Sequence, residues 1–403
     1  MPDVSASFRS FSVSAIAHAL ARIGPAWLVI VASLALSLIG VYTIDIATQA
    51  KPHPEMLLGE IAYQQATYLC ISILAAIIII LPNYKWVAYA SWFFYALAIA
   101  LLIFLLIPMV PWWIVRPRNG ARSWINLGFM LMQPSEPAKI AYALALALYM
   151  RYRTEHRRFA GLLPPAIITA IPIGLITLQP DLGTASLFVP ALFAVLIAAG
   201  ARLRHLAIIV MLAAMAAPAV YPILKPHQQQ RIMGLMKQLQ GDTSADKDLN
   251  FQARTAQTLA AAGGWSGLSD DHSRSLVFFN ALPEARNDMI FAVILNRFGV
   301  LGGLIVLGLY TLWFFGAMFC AAMTKDPFGR LVIVALAAFI AAQVFVNAGM
   351  NIGVLPIIGI TLPFVSHGGS SLITVWAMVG LIASIMMRRP KVGPRNSFEF
   401  AGD

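Results

Sequence analysis

Charge is scarce in this sequence. Only 11% of its 403 residues are Asp, Glu, Lys or Arg, where a soluble domain carries about 25%. Cysteine is nearly missing as well. Cys70 and Cys320 both lie inside apolar runs, so the chain has neither a disulfide framework nor zinc-ligand spacing. Residues 1–25 are polar and hold no short apolar stretch followed by an Ala-x-Ala site, which excludes a cleavable signal peptide there. No Gly-x-x-x-x-Gly-Lys loop, His-Glu-x-x-His pair or Gly-x-Ser-x-Gly elbow occurs. A nucleotide-driven pump or a zinc protease therefore has nothing to rest on.

What the chain has instead is apolar length: 60% of its residues are hydrophobic. A helix crossing a bilayer needs about 20 apolar residues, and ten segments qualify, near 26–47, 66–82, 86–109, 137–152, 162–178, 183–200, 204–223, 289–322, 330–349 and 370–387. The expected fold is all-α, a polytopic membrane protein of about ten transmembrane helices forming one domain over 26–388, with tails at 1–25 and 389–403. Segment 289–322 is long enough to tilt or to break near Gly299, Gly302 and Gly303. Stretch 349–371, uncharged and punctuated by Gly and Pro, suits a re-entrant segment packed inside protein before the tenth helix.

Basic residues alternate between the loops. Arg9, Arg22, Lys85, Arg151, Arg153, Arg157, Arg158, Arg202, Arg204, Lys325, Arg330 and the tail from Arg388 to Arg395 fall on one side. The positive-inside rule places that side, and both termini, in the cytoplasm. The net charge of +11 then sets topology and meets anionic membrane lipid, with no need of nucleic acid. The large insert 224–288, between the seventh and eighth helices, falls on the extracytoplasmic side with the 110–136 loop.

Polar groups beside that outer face carry the chemistry. In "ALPEARNDMIFAV" (281–293), Asp288 precedes an apolar span. It is either an N-terminal cap of that helix or a general base at a dry margin, able to take a proton from a substrate hydroxyl. Glu284 and Arg286 lie just before it. In "NGARSWINLGFMLMQPSEPAKIA" (119–141), Gln133 precedes a helix that Ser135 would cap, with Pro137 in its first turn. Glu136 and Lys139 are three residues apart, as a surface pair or as functional ionisable groups at the start of a span. Arg116, Arg118 and Arg122 form a basic cluster on the wrong side for topology, which asks for an anionic partner such as phosphate or pyrophosphate. Trp112, Trp113 and Trp124 read as interfacial aromatics, and Asp181 in "QPDLGT" as the cap of the next helix. In "SHGGSS" (366–371), Ser366 and Ser370 flank a helix start whose backbone N–H groups could hold an anion, beside a structural His367.

Four stretches in this order, "RSWINLGFMLMQPSEPAKIA", "QPDLGTAS", "ALPEARNDMIFAVILNRFGVLGG" and "NAGMNIGVLPIIGITLPFVSHGGSSL", resemble the SEDS family (shape, elongation, division and sporulation), its RodA branch somewhat more than its FtsW branch. The resemblance runs from about residue 20 to 388. It implies a peptidoglycan glycosyltransferase that polymerises lipid II into β-1,4 glycan strands outside the cytoplasmic membrane, during elongation or division. Beside it would work a class B penicillin-binding protein that crosslinks the growing glycan strand. The aspartate the family requires falls on Asp288, and its Gln-Pro-Ser-Glu-x-x-Lys motif on Gln133 to Lys139. Lys139, the outer arginines or a divalent cation, Mg or Mn, would meet the departing diphosphate. The sequence departs from the family pattern at Arg286, Asn287, Asn296, Arg297, His367 and across 268–279. Those departures keep two alternatives open, a lipid II flippase and a catalytically weak scaffold for the penicillin-binding protein.

Overall fold

The computed structural model describes residues 24–51, 57–115, 122–128, 130–223, 229–230, 233–234, 236, 251–280 and 282–389. Arg116 and Arg118, both tails except 24–25 and 389, and residues 237–250 of the insert lie outside the described residues.

Each of the ten apolar segments holds helix. They begin with α1 (Ala26–Thr48), α2 (Glu60–Ile80), α3 (Tyr84–Tyr89) with α4 (Ser91–Leu106), α5 (Ser135–Met150), α6 (Leu163–Leu178), α7 (Leu182–Ser186) with α8 (Phe188–Ala198), and α9 (Leu203–Val220). The insert then contributes α10 (Phe251–Ala262) and α11 (Asp270–Phe279). The last three apolar segments are α12 (Ile290–Met323), α13 (Pro327–Asn351) and α14 (Gly369–Met387). Six helical spans among the described residues are long and apolar enough to cross a membrane unaided. The third and sixth segments are each split into two helices. Asn83 caps α3 through Lys85 N–H at 3.0 Å, and Asp181 caps α7 through Thr184 N–H at 3.0 Å, as the sequence predicts.

Lipid is as apolar as leucine, so helices in a membrane associate through close packing and interhelical hydrogen bonds. Here α1 supplies two serine acceptors one turn apart. Trp313 of α12 donates its indole N–H to Ser33 Oγ (2.9 Å), and Trp376 of α14 donates to Ser37 Oγ (3.2 Å). Helix α14 packs on α2, α1 and α5 and is buried along most of its length. The stretch before it, 352–368, has no regular secondary structure. It packs inward from Ile360 to Ser366, where Leu362, Phe364 and Val365 are buried.

Two features were not expected. A two-residue hairpin, β1 (Ile125–Asn126) paired antiparallel with β2 (Leu131–Met132), lies in the 110–136 loop. The other is the described part of the insert, where α10 and α11 dock on α1 and α12. Their apolar faces join Ile46, Leu282, Met289 and Val293 in a small core separate from the main one.

The break expected in α12 is at Gly299, with φ 67° and ψ −169°, a conformation open to glycine alone at little strain. A broken helix leaves backbone groups without partners. The turn after α10 satisfies them: Val300 N–H donates to Gly264 O (2.9 Å) and Leu301 N–H to Trp265 O (3.2 Å), while Leu268 N–H donates to Asn296 O (3.2 Å). The insert therefore completes the helix it precedes.

Candidate active site

Asp288 is no helix cap. Helix α12 begins at Ile290, and the residue in the cap position, Met289, makes no side-chain cap hydrogen bond. Instead Asp288 is buried, 8% exposed, and lines a cleft of about 600 Å³. Five parts of the chain remote in sequence meet there. Gln64 and Tyr68 come from α2; Trp124, Asn126 and Leu131 from the hairpin region; Gln252 from α10; Glu284, Asn287 and Asp288 from the end of the insert; and Ile357 to Gly369 from the coil leading into α14.

The backbone around Asp288 is clamped from two sides. Its carbonyl accepts Asn347 Nδ2 (2.8 Å) and Asn351 Nδ2 (2.9 Å), both on α13. Asn351 Oδ1 in turn accepts Ala292 N–H at 3.0 Å. On the other side, Ser366 Oγ donates to Asn287 O, and His367 N–H donates to Arg286 O at 2.9 Å. Ser366 Oγ also accepts Leu362 N–H at 2.8 Å. Hydrogen bonds to the main chain in this way fix where the Asp288 side chain starts, and so place its carboxylate at the cleft.

Glu284 stands exposed at the lip with φ 54°, in the left-handed region, and its carboxylate accepts Asn287 Nδ2. The carbonyl of Glu284 accepts both Asn287 N–H (2.9 Å) and Met289 N–H (3.2 Å), so the turn is tight. Arg286 is half-buried and contributes its carbonyl to the clamp. Trp124 lines the cleft rather than belonging only to the membrane interface, and the His367 ring lies 6.5 Å from that of Tyr68 across it.

The Gln-Pro-Ser-Glu-x-x-Lys segment stands behind the cleft. Gln133 N–H donates to Ser370 Oγ (3.2 Å), which ties α5 to the start of α14, and Gln133 Nε2 donates to Asp181 Oδ2 at 3.0 Å. Burial pushes the Asp181 carboxyl above its ordinary value, against the opposing pull of Thr184 N–H. Ser135 is not the cap of α5: the helix begins at Ser135, Pro134 occupies the cap position, and Ser135 Oγ is buried without a hydrogen bond among the described residues. Glu136 and Lys139 form no surface pair. Lys139 is fully buried, 2.9 Å from Glu136 Oε1 and 3.5 Å from Gln343 Oε1. Neither side chain is on the cleft wall. Arg122 is a clamp within its loop, donating to Pro108 O (3.0 Å) and Val110 O (2.9 Å), and also stands off the cleft.

Reading the sequence missed one polar stripe. Gln343, Asn347 and Asn351 recur every fourth residue on α13 and so share one face. Gln343 reaches Lys139, and the two asparagines hold Asp288. The stripe meets the buried ion pair at one end and the main chain of Asp288 at the other, and amides in register within an apolar span were the signal for it. Gln65, buried on α2, likewise holds the other wall, donating to Ser366 O and accepting Gly368 N–H, both at 3.2 Å.

No cluster of three or more His, Cys, Asp or Glu side chains close enough to cage a metal occurs among the described residues. A magnesium ion carried by a diphosphate needs only one or two protein carboxylates, and Glu284, exposed at the lip of the cleft, would be the one to meet it.

A family model described as Cell cycle protein, covering FtsW, RodA and SpoVE, matches residues 25–391. The chain belongs to this family, the SEDS proteins. It is 30% identical over 368 residues to a probable peptidoglycan glycosyltransferase FtsW of Thioalkalivibrio sulfidiphilus, covering 89% of each chain. To the peptidoglycan glycosyltransferase MrdB of Escherichia coli K12 it is 33% identical over 274 residues, 67% of this chain and 72% of that one. Among solved structures, it superposes with a TM-score of 0.74 and 28% identity on a chain from a peptidoglycan synthase complex that coordinates polymerization and crosslinking, covering 89% of this chain and 97% of that one. The rod-shape-determining protein RodA of Thermus thermophilus follows at TM-score 0.66 and 26% identity, with 91% and 97% covered. The relatives carry names from both branches of the family, so the resemblance does not divide along the RodA and FtsW line. This SEDS chain is a membrane protein, as its apolar helices require.

Proposed function

We propose that this chain is a peptidoglycan glycosyltransferase that polymerises lipid II in the cleft beside Asp288, with that cleft on the outer face of the cytoplasmic membrane and both termini inside. The observation that carries the reading is one carboxylate, buried yet open to the cleft, with its backbone held by Asn347, Asn351, Ser366 and His367.

The 4-hydroxyl of one bound disaccharide attacks the anomeric carbon of the other. Asp288 takes the hydroxyl proton as the new carbon–oxygen bond forms, and the bond to phosphate breaks with its electron pair leaving on the polyprenyl diphosphate. One in-line displacement turns the α-linked donor into a β-1,4 product. The expected cation contacts shift relative to the sequence reading, because Lys139 and Arg122 are engaged elsewhere. The first turn of α14, which reaches the cleft at Gly368 and Gly369, presents backbone N–H groups and the positive end of its dipole to the diphosphate. Gln133 supports that turn from behind through its N–H to Ser370 Oγ. Gln64, Asn126, Gln252 and Trp124 offer amide and aromatic surfaces for sugars. A class B penicillin-binding protein is the expected partner, by similarity to the synthase complex.

The test is purified protein given fluorescent lipid II, with and without a class B partner, and glycan length read on a gel. Wild type should make polymer, and Asp288→Ala should make none while eluting as folded protein. Unchanged polymer from Asp288→Ala would remove the base assignment. Lipid II translocation without polymer would mark a transporter, and neither activity, with the partner still bound, would mark a scaffold.

A further inference from the structure

The departures from the family pattern at 268–279 and at Asn296 and Arg297 face one another. Arg274 of α11 is buried, 3% exposed. Its Nη2 lies 2.7 Å from Asp45 Oδ2 on α1, its Nη1 donates to Asp45 O (3.0 Å), and its Nε lies 2.6 Å from Asp270 Oδ2. Asp270 Oδ1 accepts the Tyr42 hydroxyl (2.7 Å) and is 3.5 Å from Arg297 Nε. Arg297 Nη1 also donates to Leu268 O (2.9 Å). Asn296, fully buried, accepts Ser273 Oγ (2.7 Å) and donates to Leu259 O (2.7 Å). Two arginines thus meet two aspartates, and both changed positions on α12 find their complement on α11.

We infer that these residues form one charge clamp, and that Arg274 and Arg297 are positioning residues for Asp288. The clamp fixes the chain on both sides of the cleft carboxylate, Arg274 before it and Arg297 after it. Between those points Leu282, Ala285, Met289, Ala292 and Val293 pack into the small core that the clamp closes. With one charge of the set reversed, a carboxylate faces another carboxylate, α11 lifts from α1 and α12, and the turn bearing Asp288 loses its fixed direction. The changed residues are therefore a compensating set, and they leave the cleft competent. This inference rests on Asp288 being the base.

The experiment compares Arg297→Glu, Asp270→Asn, the double variant, and Arg297→Gln, which loses charge but keeps an N–H donor. Two readouts are taken on the full chain: hydrogen exchange of peptides spanning 282–292, and kcat and KM for lipid II polymerisation. Arg297→Glu should speed exchange and lower kcat, each by about tenfold or more, with KM within about twofold. The double variant should recover part of both, since it removes the carboxylate facing Arg297→Glu while an amide oxygen still accepts from Tyr42 and Arg274. Arg297→Gln should fall between. Exchange and kcat unchanged in Arg297→Glu, or in Arg297→Gln should the former not fold, would overturn the inference. A double variant no better than Arg297→Glu would do so as well. If the parent chain makes no polymer, the glycosyltransferase reading fails, and exchange alone still decides the clamp.

Discussion

The main chain of Asp288 is held by two side-chain amides that donate to its carbonyl. Asn351 donates to its carbonyl and accepts from Ala292 N–H, so Asn351→Ala leaves a buried N–H and loosens a buried carbonyl, a loss of about 1–3 kcal/mol. The expected result is a lower melting temperature in detergent together with reduced polymer yield at saturating lipid II. The buried pair behind the cleft makes a sharper contrast. Lys139→Met strands Glu136, and breaking a buried pair by removing one partner costs about 3–5 kcal/mol. Adding Glu136→Gln should recover a measurable part of the lost melting temperature. The spacing of Glu136 and Lys139 was legible in the sequence as a pair on one helix face. Their burial was not, because it depends on Gln343 of α13, 204 positions further along the chain. Arg122 misled for a related reason: a lone cation in a loop reads as a ligand for an anion until the carbonyls of Pro108 and Val110 are seen to occupy it.

At the scale of elements, α11 meets α12 through the Asp270–Arg297 ion pair. Burial pushes the Asp270 carboxyl up, but the hydrogen bonds from Arg274 and Tyr42 and the charges of Arg274 and Arg297 outweigh it, and the group is held below the ordinary aspartate value. Its contribution to stability is therefore complete above about pH 4, the unfolded value, and disappears as pH falls through the lower folded one. Melting curves between neutral and strongly acidic pH should show an acid loss in the wild type that is smaller in Asp270→Asn. The break in α12 supplies a second prediction. A Cβ on Gly263 would run into the Leu295 carbonyl oxygen, whereas one on Gly308 meets nothing within 4 Å. Gly263→Ala should abolish folded yield. Gly308→Ala, on an open helix face, should be neutral or stabilise by up to about 1 kcal/mol. The break itself was legible, since glycines cluster there within an apolar run. The turn that fills it was not, since α10 and α11 are amphipathic but short and too polar overall to stand out beside runs of bilayer length.

For the whole molecule, apolar runs of bilayer length located all ten helical segments, because lipid enforces helix wherever the backbone has no other partner. Which helices touch was left open by the same uniformity, as apolar faces look alike toward lipid and toward protein. The orientation proposed from the loop charges can be tested directly. In a Cys70→Ser background, Glu284→Cys on the exposed lip should react with a membrane-impermeant maleimide in intact spheroplasts. Lys325→Cys, exposed at the far end of α12, should react only after permeabilisation. The reverse pattern would invert the topology and remove lipid II polymerisation outside the cell as a function.

The turn that completes α12 comes earlier in the chain than the helix it completes. In the proposed orientation, residues 263–268 would be delivered to the outer side ahead of Val300 and Leu301, whose N–H groups the carbonyls of Gly264 and Trp265 accept. Assembly from N- to C-terminus thus supplies the patch before the defect arises. A circularly permuted chain beginning at residue 289 would have to insert a helix with a hole in it, and should accumulate poorly even though every contact of the finished protein is still encoded.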